Sequence, residues 1–255
     1  MEMFKSSSDF VRSVERAIAI LRCFESDEEL RLIDICERVC LPKSTAHRLI
    51  TTLEQEHMIE KDLKTGNYFL GYGVIRLGQM AQSNKVICKM IHPELEIIAK
   101  ESEQTSNLYI IRGYDRLCLD QVEGTQYVRR YSYMGALHPL HCGASGKVLL
   151  AYSSDSFQRD YLKNAPIQKI TENTVVDKEE LRALCLQIKK DGFAVSKGER
   201  DFFSGSVAVP VFAADGSVVA AITISGHVSG FTDENIEAYA EMLKRSANNV
   251  MLKLR

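Results

Sequence analysis

Leu41-Pro42-Lys43-Ser44-Thr45-Ala46-His47-Arg48-Leu49-Ile50-Thr51-Thr52-Leu53 reads as a helix with two unlike faces. Pro42 disfavours helix at Leu41 and suits the first turn of a new one. Ala46, Leu49, Ile50 and Leu53 recur at helical spacing and must pack inward. Ser44, Thr45, His47, Arg48 and Thr51 are left outward or flanking, and no acid lies between Lys43 and Leu53. Short polar donors with one Arg at the start of a helix are the groups that meet base edges and phosphates in a major groove.

The flanks agree. Upstream, Leu32, Ile35, Cys36 and Val39 share one face of a short helix, and a tight turn joins it to the next, which is the helix-turn-helix arrangement. Further upstream, Val14, Ala17, Ile18, Leu21 and Phe24 predict an amphipathic helix from Val11 to Phe24. Downstream, two strand-like runs, Met58–Lys61 and Tyr68–Leu70, flank a turn containing Gly66. A hairpin directly after a helix-turn-helix is a wing, and its tip offers Lys64 and Thr65. Residues 1–9 read as a flexible arm, with Arg12 just beyond it. The DNA-binding domain is expected over 10–72, a linker helix over 73–84 and a second domain over 85–255.

The second domain is mixed. Helical patterns cover Val86–Gln104 (with Pro93 a break or fresh start), Gly143–Tyr152, Lys178–Lys190 and Asp233–Leu254, the last capped by Thr232. Strand-like runs cover Asn107–Arg112, Leu117–Val122, Tyr127–Tyr133, Phe193–Ser196, Ser206–Phe212 and Val218–Ser225. Strands in two groups with helices between them predict an antiparallel sheet with helices packed on it, an α+β domain.

Composition limits the function classes. The hydrophobic fraction is 45% and the charged fraction 26%, ordinary for a globular chain. The Ser-rich start lacks the apolar core of a signal peptide, and no run approaches the roughly 18 apolar residues of a membrane span. Seven scattered cysteines without a CxxC pair fit reduced thiols in a cytoplasm. The net charge is -2, and residues 1–72 hold ten Lys/Arg against thirteen Asp/Glu, so DNA binding needs a local basic face. The acids cluster at Glu25–Glu29, Asp34–Glu37 and Glu54–Asp62, off the proposed reading face.

In the second domain, His141-Cys142-Gly143-Ala144-Ser145-Gly146-Lys147 opens a helix with small residues. That lets a ligand approach the backbone, where free N–H groups and the helix dipole favour an anion. Tight helix–sheet packing wants the same small residues. His138-x-x-His141-Cys142 offers metal-binding side chains but matches no structural zinc spacing, so no metal or other cofactor is expected. GxSxG, HExxH and GxGxxG are absent, and Gly146-Lys147-Val148 has Val where a phosphate loop needs Ser or Thr, so the chain does not read as an enzyme.

Val11-Arg12-Ser13-Val14-Glu15-Arg16-Ala17, Leu41–Leu49, Thr65–Gly71, His141–Ala151, Asp191-Gly192-Phe193, Glu199 and Ala208–Val211 together resemble the IclR family of bacterial regulators, in family order and over nearly the whole chain. The resemblance implies a winged helix-turn-helix, a linker helix and a GAF/PAS-like effector domain, assembled as homodimers or homotetramers on double-stranded operator DNA. It also implies that Gly143, Ala144 and Ser145 line an effector pocket with Tyr127, Met134, Ser196 and Ser206. Ser196 and Ser206 stand where many members carry Asp and Cys. Arg129 and Arg130 alternate on one strand, so one faces the pocket, and Arg130 is assigned to it. The expected function is a cytoplasmic regulator, a repressor by family habit, responding to an organic or sugar acid. The alternative is a ligand-binding or protein-interaction module with a non-functional helix-turn-helix.

Overall fold

The computed structural model describes residues 11–83, 86–125 and 133–253. The expected arm over 1–9, residues 127–132 of the third expected strand, and with them Tyr127, Arg129 and Arg130, lie outside the described residues. The chain divides into two compact units between Asn84 and Lys85.

The first unit holds α1 (Arg12–Arg22), α2 (Leu32–Val39), α3 (Lys43–Gln55), the strands β1 (Ile59–Lys61) and β2 (Tyr68–Leu70), and α4 (Tyr72–Ser83). The apolar stripes meet in one core, in which Ile20, Ile35, Ile50 and Ile59 are fully buried beside Val39, Ala46 and Tyr68. α2 stops at Cys40, whose φ of 52° places it in the left-handed region. The backbone then turns through Leu41 into Pro42, the N-cap of α3. β1 and β2 pair antiparallel, Lys61 opposite Tyr68, and Leu30 adds a bridge to Tyr68. The turn between them is held by Asp62 Oδ1, which accepts from the backbone N–H groups of Lys64 at 2.6 Å and Thr65 at 3.3 Å.

Among the described residues, the second unit is one six-stranded antiparallel sheet with helices on both faces. Its strands are β3 (Thr105–Arg112), β4 (Asp115–Val122), β5 (Leu137–Pro139), β6 (Ala194–Lys197), β7 (Ser204–Phe212) and β8 (Val218–His227), in the order β5-β4-β3-β8-β7-β6. Period-2 alternation divides the side chains. Leu108, Val207, Val209, Val211, Ile222 and Ile224 face α5 (Val86–Ser102) and α9 (Asp233–Lys253). Tyr109, Cys118, Ala208 and Ala221 belong to the opposite core with α6 (Ala144–Tyr152), α7 (Asp155–Asn164) and α8 (Lys178–Asp191). Alanines on this face make room for α6, whose residues from Ala144 to Ala151 are all buried.

α5 runs through Pro93 without a break, since the helix tolerates one missing N–H where the flanking residues Ile91, Leu95 and Ile98 are fully buried. Two elements go beyond the sequence expectation. α7 is polar along most of its length and is anchored chiefly by Tyr161 and its Ser154 cap, so it carries little periodic signal. β5 is a three-residue edge strand ending in Pro139, too short for alternation to register.

A basic reading helix and a polar cavity

α3 presents Lys43, Ser44, His47 and Arg48 to solvent, while Thr45 and Thr51 are half-buried. The inward set Ala46, Ile50 and Leu53 fixes this orientation by burial. A shallow groove between α1 and α3 is lined by Ser13, Arg16, Thr45, Arg48, Leu49 and Thr52. Arg16 was not anticipated. It lies one turn after Arg12 on α1, and that spacing of two cations was the available signal. Elsewhere in this unit, Arg31 pairs with Asp34 at 2.8 Å and Arg38 with Asp27 at 2.6 Å. Those pairs cancel acids locally, whereas Arg12, Arg16, Lys43, Arg48 and the wing's Lys64 make no ion pair among the described residues. The formally acidic segment therefore carries unpaired positive charge on α1 and α3, and separately at the wing tip, the kind of footprint that a phosphate backbone requires.

In the second unit a small cavity of about 30 Å³ lies against the N-terminus of α6, with Gly143, Ser145, Ser196 and Ser206 in its wall. Ala144 adjoins it, its N–H directed at Ser206 Oγ at 3.4 Å. Met134 is half-exposed on the approach to β5 and is not part of this wall. The remaining wall comes from positions that sequence reasoning passed over: Tyr109, Arg116, Arg200, Ser204, Gly205, Thr223 and Ser225. Most are inward positions on β3, β4, β7 and β8. Arg116 two residues before Cys118, on the same face of β4 and followed by the alternating Leu117 and Leu119, was the one visible sign.

Arg116 is 3% exposed, and its Nη1 donates to the carbonyls of Pro139 and Cys142, each at 2.5 Å. Its guanidinium lies over the Tyr109 ring, 5.3 Å from the centroid. This side chain crowds both glycines of the small-residue run. A Cβ on Gly143, whose φ is 84°, falls 2.7 Å from Arg116 Nη2, and one on Gly146 falls 2.6 Å from Nη1 and 2.5 Å from the Leu140 carbonyl oxygen. Burial holds the Arg116 pKa below its ordinary value; Tyr109 opposes this, and the charge of Arg200 adds to it.

The helix start is not open to a ligand in the simple way its sequence implies. Glu199 Oε2 accepts from Gly143 N–H at 2.9 Å, and Oε1 pairs with the buried Lys147 ammonium. Lys147 also donates to the Val195 carbonyl at 2.8 Å. His141 is engaged at both ring nitrogens, by Tyr161 OH at 3.2 Å and the Gln168 carbonyl at 2.9 Å. His138 is pushed down to about 2 by burial and then by Arg200 and Arg116. All seven cysteines are free thiols, and Cys142 is raised to about 11 by burial.

A winged helix-turn-helix with a basic reading face, carried on one chain with a curled antiparallel sheet, defines a DNA-binding transcriptional regulator. The chain belongs to the IclR family: residues 13–63 match the IclR helix-turn-helix domain and residues 79–252 the bacterial transcriptional regulator IclR C-terminal domain. It is 29% identical to the HTH-type transcriptional regulator XynR of Escherichia coli over 92% of this chain and 94% of that one. It is 26% identical to the transcriptional repressor IclR of the same organism, over 95% and 89%. The crystal structure of the Thermotoga maritima IclR superposes with a TM-score of 0.81 at 29% identity, covering 95% of this chain and 98% of that one. Among the described residues no helix is long and apolar enough to cross a membrane.

Proposed function

We propose that this regulator is a cytoplasmic repressor whose hold on operator DNA changes when a small organic or sugar acid binds in the C-terminal domain. The observation that carries the reading is the cavity wall: among the described residues it holds two arginines and no acid, with five serines and one threonine. A concave polar site with an uncompensated positive charge favours an anion that brings hydroxyl groups. Ser44, Thr45, His47, Arg48 and Thr51 contact bases and adjacent phosphates, with Arg12, Lys43, Lys64 and Thr65 on the backbone. The likeness to a repressor supports the sign of regulation.

The regulator acts as a homodimer or homotetramer. A single winged helix covers one half-site, and such proteins pair to read two. Ile75, Leu77 and Met80 on α4 are each about 60% exposed, as are Val11 and Val14 at the start of α1 to a similar degree. Apolar side chains spaced along a helix in this way are burial surface for a second copy.

The test is a gel shift of the purified protein on the DNA upstream of its own coding sequence, repeated with a panel of small carboxylates. A discrete complex that a carboxylate weakens is the expected result. A complex that no acid in the panel alters, or no complex at all, overturns the reading. Light scattering at micromolar concentration gives the assembly, and a strictly monomeric mass excludes the paired form.

A further inference from the structure

Gly71-Tyr72-Gly73 opens α4 directly against the end of the reading helix. α3 closes at Gln55 with Glu56 as its cap, and His57 then turns the chain with a left-handed φ of 57°. The His57 carbonyl accepts from Gly73 N–H at 2.8 Å, and the Met58 carbonyl accepts from Gly71 N–H at 2.9 Å. Glu60 Oε1 accepts from Tyr72 N–H at 3.2 Å. Amides that a helix start ordinarily leaves without a partner in the chain are thus held by residues 57–60. The approach leaves no room for a side chain: a Cβ on Gly71 collides with the His57 carbonyl, and one on Gly73 falls 2.7 Å from its oxygen. Above these bonds the His57 ring stacks on the Tyr72 ring, with centroids 4.7 Å apart and planes 26° from parallel.

One residue, His57, therefore both ends the reading helix and receives the start of α4. α4 runs on to Ser83, and the second unit begins at Lys85. Both glycines are buried, whereas His57 and Tyr72 are exposed and neither belongs to the core around Ile20, Ile35 and Ile50. The core holds the unit together without the stack. What the stack fixes is the direction in which α4 leaves α3. In a paired regulator that direction sets how far apart the two reading helices lie, and the half-site spacing follows from it.

We propose that His57 and Tyr72 are positioning residues that lock the reading helix to α4 and so set the half-site spacing this regulator accepts. This rests on the paired form argued above and goes beyond it.

The test uses the full-length chain and the DNA upstream of its coding sequence, with the protected site first mapped by footprinting. Fluorescence anisotropy then compares the natural site, the same site with a short insertion between its halves, and one half alone. An insertion of about two base pairs is expected to weaken binding of the unaltered chain by about tenfold or more. Tyr72→Ala, and His57→Asn, whose side chain tolerates the left-handed backbone, are each expected to bind one half within about twofold of the unaltered chain and to lose no more than about threefold on insertion. If the two rings act through each other, the double variant is no looser than either single one. Tyr72→Phe keeps the ring and is expected to behave as the unaltered chain. An insertion loss in Tyr72→Ala equal to that of the unaltered chain overturns the proposal. So does an effect of Tyr72→Ala that His57→Asn does not share, which places Tyr72 in some other contact. Loss of binding to one half in either variant also overturns it, because the stack then supports the fold of the reading unit instead of its placement. A paired mass by light scattering with binding indifferent to spacing overturns this proposal alone, and a monomeric mass overturns the paired form with it.

Discussion

The backbone N–H of Gly143 donates to Glu199 Oε2 at 2.9 Å, while the other oxygen of that carboxylate pairs with Lys147, one turn further along the same helix. A carboxylate of the chain itself thus occupies the positive end of α6. The attraction of a helix N-terminus for anions is satisfied internally. What remains uncompensated nearby is Arg116, buried and bonded only to neutral carbonyls.

That arrangement makes Glu199 a structural necessity. Removing one member of a buried ion pair leaves the other charge desolvated, at a cost of about 3–5 kcal/mol. Both Lys147 and Glu199 are over 90% buried, so Glu199→Ala is expected to destabilise the C-terminal domain by about 3 kcal/mol or more in denaturant unfolding. Lys147→Met combined with Glu199→Leu is expected to cost less than Glu199→Ala alone. A double variant that loses as much as the two single losses added shows the pair to be uncoupled.

Arg48 and Arg16 line one groove and are expected to have different roles on DNA. Arg48 projects from the reading helix, and Arg48→Ala is expected to weaken specific binding by about 1–3 kcal/mol and to relax discrimination between operator and unrelated DNA. Arg16 lies on α1, outside the reading helix, and is expected to meet phosphates rather than base edges. Arg16→Ala is expected to weaken binding to all sequences alike and to reduce the salt slope by about one. Gel shifts at several salt concentrations separate the two, and operator affinity unchanged in Arg48→Ala refutes its assignment.

The helix-turn-helix was legible because its three helices each bury one stripe, so Ile20, Ile35 and Ile50 announce themselves by period alone. The alternating strands of the second unit were legible for the same reason. α7 was not, since one buried tyrosine does not make a pattern. The cavity was legible only where small residues stood out, at Gly143 and Ser145. Arg116, Tyr109 and Thr223 come from β4, β3 and β8, and only the sheet order brings them together. Even the glycines were half-read. They open the helix start, but the groups that fill the space are the Arg116 guanidinium and, at Gly146, the Leu140 carbonyl.

Cys40 gives a stability prediction at the turn. It holds a left-handed conformation, φ 52° and ψ 43°, at the end of α2, where glycine carries no Cβ penalty. The side chain is exposed and contributes only a weak contact to the Glu37 carbonyl at 3.6 Å. The strain relieved is about 1 kcal/mol, partly offset by the greater freedom of glycine in the unfolded chain. Cys40→Gly is therefore expected to raise the midpoint of thermal unfolding by a few degrees with DNA binding retained. A lower midpoint shows that the thiol makes a contribution larger than the backbone strain.

His138 sets a pH dependence with a definite sign. Burial, then the charges of Arg200 and Arg116, holds it at about 2 in the folded protein, against about 6.5 in an unfolded chain. Above pH 6.5 the ring is neutral in both states and its contribution to stability is intact. As pH falls below 6.5 the unfolded chain takes up a proton that the native state refuses, so stability is lost progressively toward the folded value. The limiting slope is about 1.4 kcal/mol per pH unit, and partial exposure of the ring narrows the pH range over which it holds. His141, also lowered chiefly by burial, adds in the same direction. Denaturant midpoints measured from pH 7 to pH 4.5 are expected to fall steadily in the unaltered chain, and less steeply in His138→Gln, whose side chain does not titrate. An equal slope in both proteins means that His138 gains its proton in the folded state, and that the paired positive charges of Arg116 and Arg200 are weaker at the cavity than their positions require.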